Sequence, residues 1–220
     1  MSLVFNLWVK SLLTVITAVT AAEPNFSRWE KDISAFEARD RTNPPPEGAV
    51  LFIGSSSIRM WTNLAADFPK LQVINRGFGG STVADTTHFA ERIIFPYKPS
   101  KIVLYAGDND IARGDSPEQV LQNFRELVEK VHAELPKTKI YFLAIKPSPS
   151  RWHLSPQSAE ANRLIRKFCK FKPKLEYIDV WEPLMKGGQP DPAFFLKDRL
   201  HLNRAGYERW AKVVRAALED

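Results

Sequence analysis

The chain has 220 residues, 44% hydrophobic and 25% charged, a balance that suits one soluble globular domain with a sizeable core. Its formal charge of +6 favours anionic surfaces in general, but Lys and Arg are interspersed with acids, as in Arg125-Glu126 and Glu129-Lys130, which argues against a nucleic-acid binder. A single cysteine, Cys169, excludes an internal disulfide and a cysteine-based metal site, and its place between Phe168 and Lys170 in a helix-like segment without a nearby histidine reads as packing.

The N-terminus has the layout of a secretory signal peptide over residues 1–22. Lys10 precedes the apolar run Ser11 to Val19, which closes on Thr20-Ala21-Ala22, so cleavage is expected after Ala21 or Ala22. The run is short for a bilayer span, and the basic segment before it is thin enough that retention as an anchor is the alternative. The expected location is therefore periplasmic or secreted, with membrane anchoring if the leader is kept.

Residues 23–220 are expected to form one domain. Phe26 to Arg41 reads as an amphipathic helix with Trp29, Ile33 and Phe36 on one face, ended by Asn43-Pro44-Pro45-Pro46. Five β-rich runs follow: Val50–Ile53, Leu71–Asn75, Lys101–Ala106, Lys139–Ile145 and Leu175–Val180. All but the last are near-continuous apolar runs, as buried parallel strands should be. Between them Ser116 to Leu135 is a helix with Val120, Phe124, Leu127, Val128 and Val131 on one face, opened by the capping-box pattern Ser116-Pro117-Glu118-Gln119. Ser155-Pro156 begins another helix, and Asn203 caps the last. This alternation predicts an α/β domain with a parallel sheet.

Ligands of such sheets sit beyond the carboxyl ends of the strands. Ser55-Ser56-Ser57 follows the first strand, Gly77-Phe78-Gly79-Gly80 the second and Gly107-Asp108-Asn109-Asp110 the third. A serine nucleophile needs a base and oxyanion donors. Asp198 stands three residues before His201, close enough after one turn to hold Nδ1 and leave Nε2 as a base, completing a triad with Ser56. The candidate oxyanion donors are the backbone N–H groups of Ser56 and Gly80 and the carboxamide of Asn109.

These four blocks, in this order from about Val50 to the C-terminus, resemble the SGNH hydrolase superfamily of GDSL esterases and lipases, and within it the catalytic subunits of platelet-activating-factor acetylhydrolase. The resemblance implies a three-layer, flavodoxin-like sandwich around a five-stranded parallel sheet. It assigns the nucleophile to Ser56, the oxyanion glycine to Gly80, the asparagine to Asn109 and the acid–base pair to Asp198 and His201. One departure stands out: the family's aspartate before the nucleophile is Ser55 here, so Ser56 is preferred over Ser55 and Ser57 by its glycine-plus-two spacing. The Gly-x-Ser-x-Gly elbow of α/β-hydrolases is absent, because Ile58 fills its last position.

Around this set, Phe78, Trp152, His153, Phe194 and Phe195 are candidates to contact substrate, while His88 and His132 fall in helical stretches and read as packing or surface residues. Asp108 and Asp110 have no accompanying acid–histidine cluster, so no metal or cofactor is expected. The expected activity is hydrolysis of small-molecule or glycan esters, with short acyl groups favoured because no long apolar insertion separates the blocks. The same triad would also serve an acyltransferase, a lysophospholipase or a thioesterase, and a non-catalytic carbohydrate-binding relative is the remaining alternative. Oligomeric state is not readable from the sequence.

Overall fold

The computed structural model describes residues 25–219, so the leader lies outside the described residues. A 3-10 turn, Phe26–Trp29, leads into α1 (Glu30–Thr42), and the strands follow as β1 (Val50–Gly54), β2 (Val73–Gly77), β3 (Lys101–Tyr105), β4 (Lys139–Leu143) and β5 (Leu175–Ile178). They form one parallel sheet in the order β2-β1-β3-β4-β5, with Val50 of β1 opposite Val73 on one side and Lys101 on the other. The chain steps from β1 to β2 and then crosses back to β3, so the strand order reverses between β1 and β3. The loops after those two strands therefore open on a natural ligand crevice.

Alternation along each strand divides the core. Leu51, Ile53, Ile102, Leu104, Ile140 and Phe142 face one side, under α1, α4 (Val83–His88), α5 (Ala90–Ile93), α7 (Pro117–Glu134) and α8 (Ser155–Cys169). Val50, Phe52, Val103, Tyr105, Tyr141 and Leu143 face the other, under α2 (Ser56–Arg59), α3 (Leu64–Asp67) and α9 (Arg204–Glu219). Helices on both faces explain why the strands read as unbroken apolar runs. Trp61 and Trp210, both fully buried, meet on the second face with ring centroids 6.0 Å apart, and each contributes about 1.5–3 kcal/mol or more by burial.

Several expected details differ: β3 stops one residue before its β-rich run does, and β4 and β5 stop two residues before theirs. β2 starts two residues later than its apolar run suggests and takes in Asn75, Arg76 and Gly77. Arg76 is tolerated there because Tyr97 Oη accepts from its Nε at 2.7 Å, and Asp40 pairs with its far nitrogen. The capping box at Ser116 is half formed: Ser116 Oγ accepts from the Gln119 N–H, but the Gln119 side chain turns forward to Asn123. Asn203 caps α9 as expected, accepting from the Gly206 N–H at 3.1 Å. Among the described residues no helix is long and apolar enough to cross a membrane.

Candidate active site

β1 ends on Gly54 at φ +125°, where a Cβ would stand 2.0 Å from the Tyr105 carbonyl oxygen, so only glycine lets β1 and β3 run this close at the point where the chain turns. The Ser55 N–H donates to that same carbonyl at 2.9 Å, and the Ser55 carbonyl accepts from Ile58 and Arg59, placing Ser56 at the first position of α2. Asn75 ties this turn to β2: its Nδ2 donates to the Ile58 carbonyl and its Oδ1 accepts from the Gly77 N–H. Ser55 and Ser57 are buried, while Ser56 lines a cleft of about 330 Å³ shared with Gly79, Gly80, Asn109, Leu200, His201, Asp32, Arg59 and Arg151.

His201 reaches Ser56 from the opposite end of the chain. Its Nε2 lies 3.0 Å from Ser56 Oγ and its Nδ1 lies 2.6 Å from Asp198 Oδ2. An ionised carboxylate accepts the Nδ1 hydrogen, which leaves Nε2 as an acceptor for the serine hydroxyl. The spacing of three works because Asp198 serves both ends of a turn: Oδ1 accepts from the N–H groups of Leu200 and His201 while Oδ2 takes the imidazole. Arg199, at φ +58°, closes that turn. Burial favours the neutral acid at Asp198, but these hydrogen bonds outweigh it and hold the carboxyl down at about 2. The loop is pinned from outside as well: Leu196 N–H donates to the His201 carbonyl, Ser150 N–H to Arg199, and Asn203 Nδ2 to Ala193 and Phe195. Immediately beyond it, Arg204 grips buried Asp67 with two bonds of 2.7 and 2.6 Å.

Opposite the imidazole stand the candidate donors. Gly80 lies at φ +77°, and a Cβ there would press on the Trp29 ring at 3.2 Å. Asn109, on α6 (Asp108–Ala112), donates one amide hydrogen to the Ser81 carbonyl at 3.0 Å and accepts from Arg151 Nη1 at 3.2 Å. Those two bonds fix which way the carboxamide faces and leave its second hydrogen for the cleft.

Arg151 rests on a buried relay. Its Nη1 is 2.7 Å from Asp108 Oδ1, Asp108 Oδ2 is 2.9 Å from Lys146 Nζ, and Lys146 donates to Tyr105 Oη at 3.1 Å. Burial opposes both charges, yet Lys146 and Arg151 hold the Asp108 carboxyl below its usual range, and Asp108 raises the ammonium of Lys146. Asp110 is bound differently, with Oδ1 on the Val83 N–H and Oδ2 on the Gly107 N–H, both at 3.0 Å. Both aspartates of this loop are thus occupied as struts. Among the described residues no group of three or more metal-ligating side chains gathers.

Burial outweighs the two N–H bonds on Asp110 and pushes its carboxyl up to about 6. A raised folded-state value means that folding favours the neutral acid. That advantage is complete below about pH 4 and lost as pH rises through 6, a change on the order of 3 kcal/mol. Melting temperature should therefore rise from pH 7 to pH 5 in thermal scans, and Asp110→Asn should flatten that slope. The lowered carboxyls of Asp67, Asp108 and Asp198 act in the opposite direction, only below about pH 4. An unchanged slope in Asp110→Asn would assign the window to another group.

The five candidate substrate contacts fall outside the cleft wall. Phe78 is fully buried against Trp29 and Phe89, and Phe195 is buried in the α9 side of the core; both are packing residues, a correction to the sequence expectation. Trp152 packs near Trp181 and lines a separate groove with Arg199 and Pro190, Phe194 lies under the Arg209 guanidinium, and His153 is exposed on the turn before α8. His88 stacks on Phe26 at 3.8 Å and His132 bonds the Thr138 carbonyl. Cys169 is buried, which pushes its thiol up to about 12. Sequence reasoning missed Asp32, Arg59 and Arg151 as cleft residues. Arg59, one helical turn after Ser56, had a readable position, and so did Lys146 and Arg151, which follow the fourth β-rich run at the ligand edge; their pairing through Asp108 had no local signal, because only the sheet brings the three together.

A parallel sheet with a serine, a histidine–aspartate pair and amide donors converging at its switch point defines an SGNH-type hydrolase fold. The chain matches the GDSL-like lipase/acylhydrolase family model over residues 51–209 and belongs to that family. Solved structures agree on the fold. A Streptococcus pneumoniae protein provisionally named a platelet activating factor is 21% identical, with 87% of this chain and 93% of that one covered at a TM-score of 0.78. A GDSL-like lipase of Bacteroides thetaiotaomicron is 20% identical, covering 89% and 97% at a TM-score of 0.69. A mutant of Axe2, an acetyl-xylooligosaccharide esterase of Geobacillus stearothermophilus, is 18% identical, covering 80% and 96% at 0.64. No curated protein matches the chain in sequence.

Proposed function

We propose that this hydrolase cleaves carboxylic esters of short acyl groups, acetyl foremost, through an acyl-enzyme on Ser56. The observation that carries the reading is the continuous chain Asp198–His201–Ser56 opening on a cleft that also holds Gly80 and the free amide hydrogen of Asn109. His201 Nε2 takes the hydroxyl proton as Ser56 Oγ attacks the carbonyl carbon. The carbonyl oxygen gains charge before the N–H groups of Ser56 and Gly80 and the Asn109 amide, each such donor lowering the barrier by about 3–4 kcal/mol. The C–O bond then breaks, and the alcohol leaves with the proton from His201. Water, deprotonated by the same imidazole, attacks the acyl-serine and releases the acid.

A cleft of about 330 Å³ walled by arginines and backbone has little apolar lining for a long chain, which favours acetyl over fatty acyl groups. The acetyl esterase among its structural relatives points the same way. A fluorophosphonate should add one phosphonyl group to wild type and none to Ser56→Ala, read by intact mass. Turnover of 4-nitrophenyl esters should fall steadily from acetate through butyrate to octanoate. Fluorophosphonate-inert wild type ends the acyl-enzyme reading, and a rise toward octanoate ends the short-chain one. We further propose export by the leader; N-terminal sequencing after expression with its native start should find the chain beginning at Ala22 or Glu23.

A further inference from the structure

The turn between α8 and β5 holds a concentration of charge that the cleft does not use. From Arg166 to Lys174, five of nine residues are basic and none is acidic, in a chain whose total formal charge is +6. At the centre of this stretch Phe171 is 91% exposed, in the left-handed region at φ +65°. An aromatic residue in that conformation, with its ring in water, is disfavoured on both counts. Part of the charge has a structural role: Arg166 and Lys167 sit in the last turn of α8, where cations complement the helix dipole, and Lys174 donates to the Pro136 carbonyl. Neither role accounts for Phe171, and although the ammonium groups of Lys170 and Lys172 each lie over an aromatic ring, both side chains stay exposed on either side of it.

We propose that this turn docks the protein on anionic lipid surfaces, with the Phe171 ring entering the headgroup layer and the surrounding basic side chains meeting anionic headgroups. A protruding apolar ring inside a basic collar matches a surface that is apolar beneath and negative above, and long lysine stems can follow the ring while keeping their charge at the headgroups. Single-stranded nucleic acid fits less well. It needs open ring faces for base stacking, whereas the Lys170 ammonium lies 4.8 Å over the Phe171 ring, and Phe168 carries Lys172 at 4.4 Å. The turn precedes β5, while the cleft lies beyond the carboxyl ends of the strands. Docking therefore holds the cleft away from the bilayer that supports the protein, with its substrates in the aqueous phase. The surface stands independently of the ester chemistry.

The test is flotation of the full chain, with the same N-terminus in every variant, on phosphatidylcholine vesicles with and without about one third phosphatidylglycerol. Wild type should bind the anionic vesicles more tightly than the neutral ones and be released as salt rises from about 0.1 to 0.5 M. Phe171→Ser should weaken anionic-vesicle binding about tenfold or more, and Lys170→Glu with Lys172→Glu should remove the preference for anionic lipid. All three side chains are exposed, and an unchanged melting temperature would certify each fold. Equal binding to both vesicle types, no binding to either, variants that float like wild type, or binding to single-stranded DNA without binding to vesicles would each overturn the proposal.

Discussion

Ser56→Ala should lower kcat on 4-nitrophenyl acetate by on the order of 10⁴-fold or more, with melting temperature almost unchanged. The size follows from the role: without Oγ there is no acyl-enzyme, and only amide donors and substrate binding remain. Neither neighbouring serine can substitute, since Ser55 and Ser57 are buried and do not line the cleft. His201→Ala should cost about as much, and the double variant no more than either alone, because the two groups act as one unit. Asp198→Asn should cost roughly 10²–10⁴-fold by a different route. Asparagine keeps an acceptor for the Leu200 and His201 N–H groups but presents NH₂ to Nδ1, so the imidazole adopts the other tautomer and Nε2 carries a hydrogen toward Ser56. With the Asp198 carboxyl held to about 2, loss of wild-type activity in mild acid reports protonation of a group other than Asp198. A Ser56→Ala protein with a tenth of wild-type kcat would remove the nucleophile.

The parts legible in the sequence were those written in local pattern. Strands buried on both faces announce themselves as apolar runs, and Asp198 with His201 form their geometry within one turn. What escaped depends on contacts distant in sequence. β2 slid by two residues because Arg76 finds Tyr97 and Asp40, so a charge that looks like the end of a strand lies inside one. Phe78 and Phe195 occupy loops at the correct edge, yet loop residues follow no alternation that would say whether a ring points inward, and both point into the core. Lys146 sits beyond β4 at 3% exposure, a place where a lone lysine is rare, and only the approach of Asp108 across the sheet makes it tolerable. The charge from Arg166 to Lys174 was in plain view; reading the chain's basicity as evenly spread concealed it.

That lysine carries the second large effect. Lys146→Met should destabilise the protein by about 3–5 kcal/mol, lowering the melting temperature by roughly 10 °C, because it leaves a buried carboxylate with Arg151 as its remaining cation and strips Tyr105 Oη of its donor. Replacing the buried members of the set, as Tyr105→Phe, Asp108→Leu and Lys146→Met together, removes the buried hydroxyl, carboxylate and ammonium at once, leaves only the part-exposed Arg151 without its ion-pair partner, and should recover most of that loss, as apolar substitutes for buried ion pairs commonly do. Activity should not recover with it. Once the Asp108 carboxylate is gone, Arg151 Nη1 loses its shortest bond and keeps only the Asp108 main-chain carbonyl at 3.2 Å beside the Asn109 oxygen, so the contact that keeps that oxygen turned from the cleft is weakened. An oxyanion donor free to flip is worth little, so kcat should stay about 10²-fold down while KM changes less. Thermal melts and steady-state kinetics on the single and triple variants read the two quantities separately. If the triple variant regained wild-type kcat along with its stability, the relay would be packing alone, and Asn109 would be held by the Ser81 carbonyl without help.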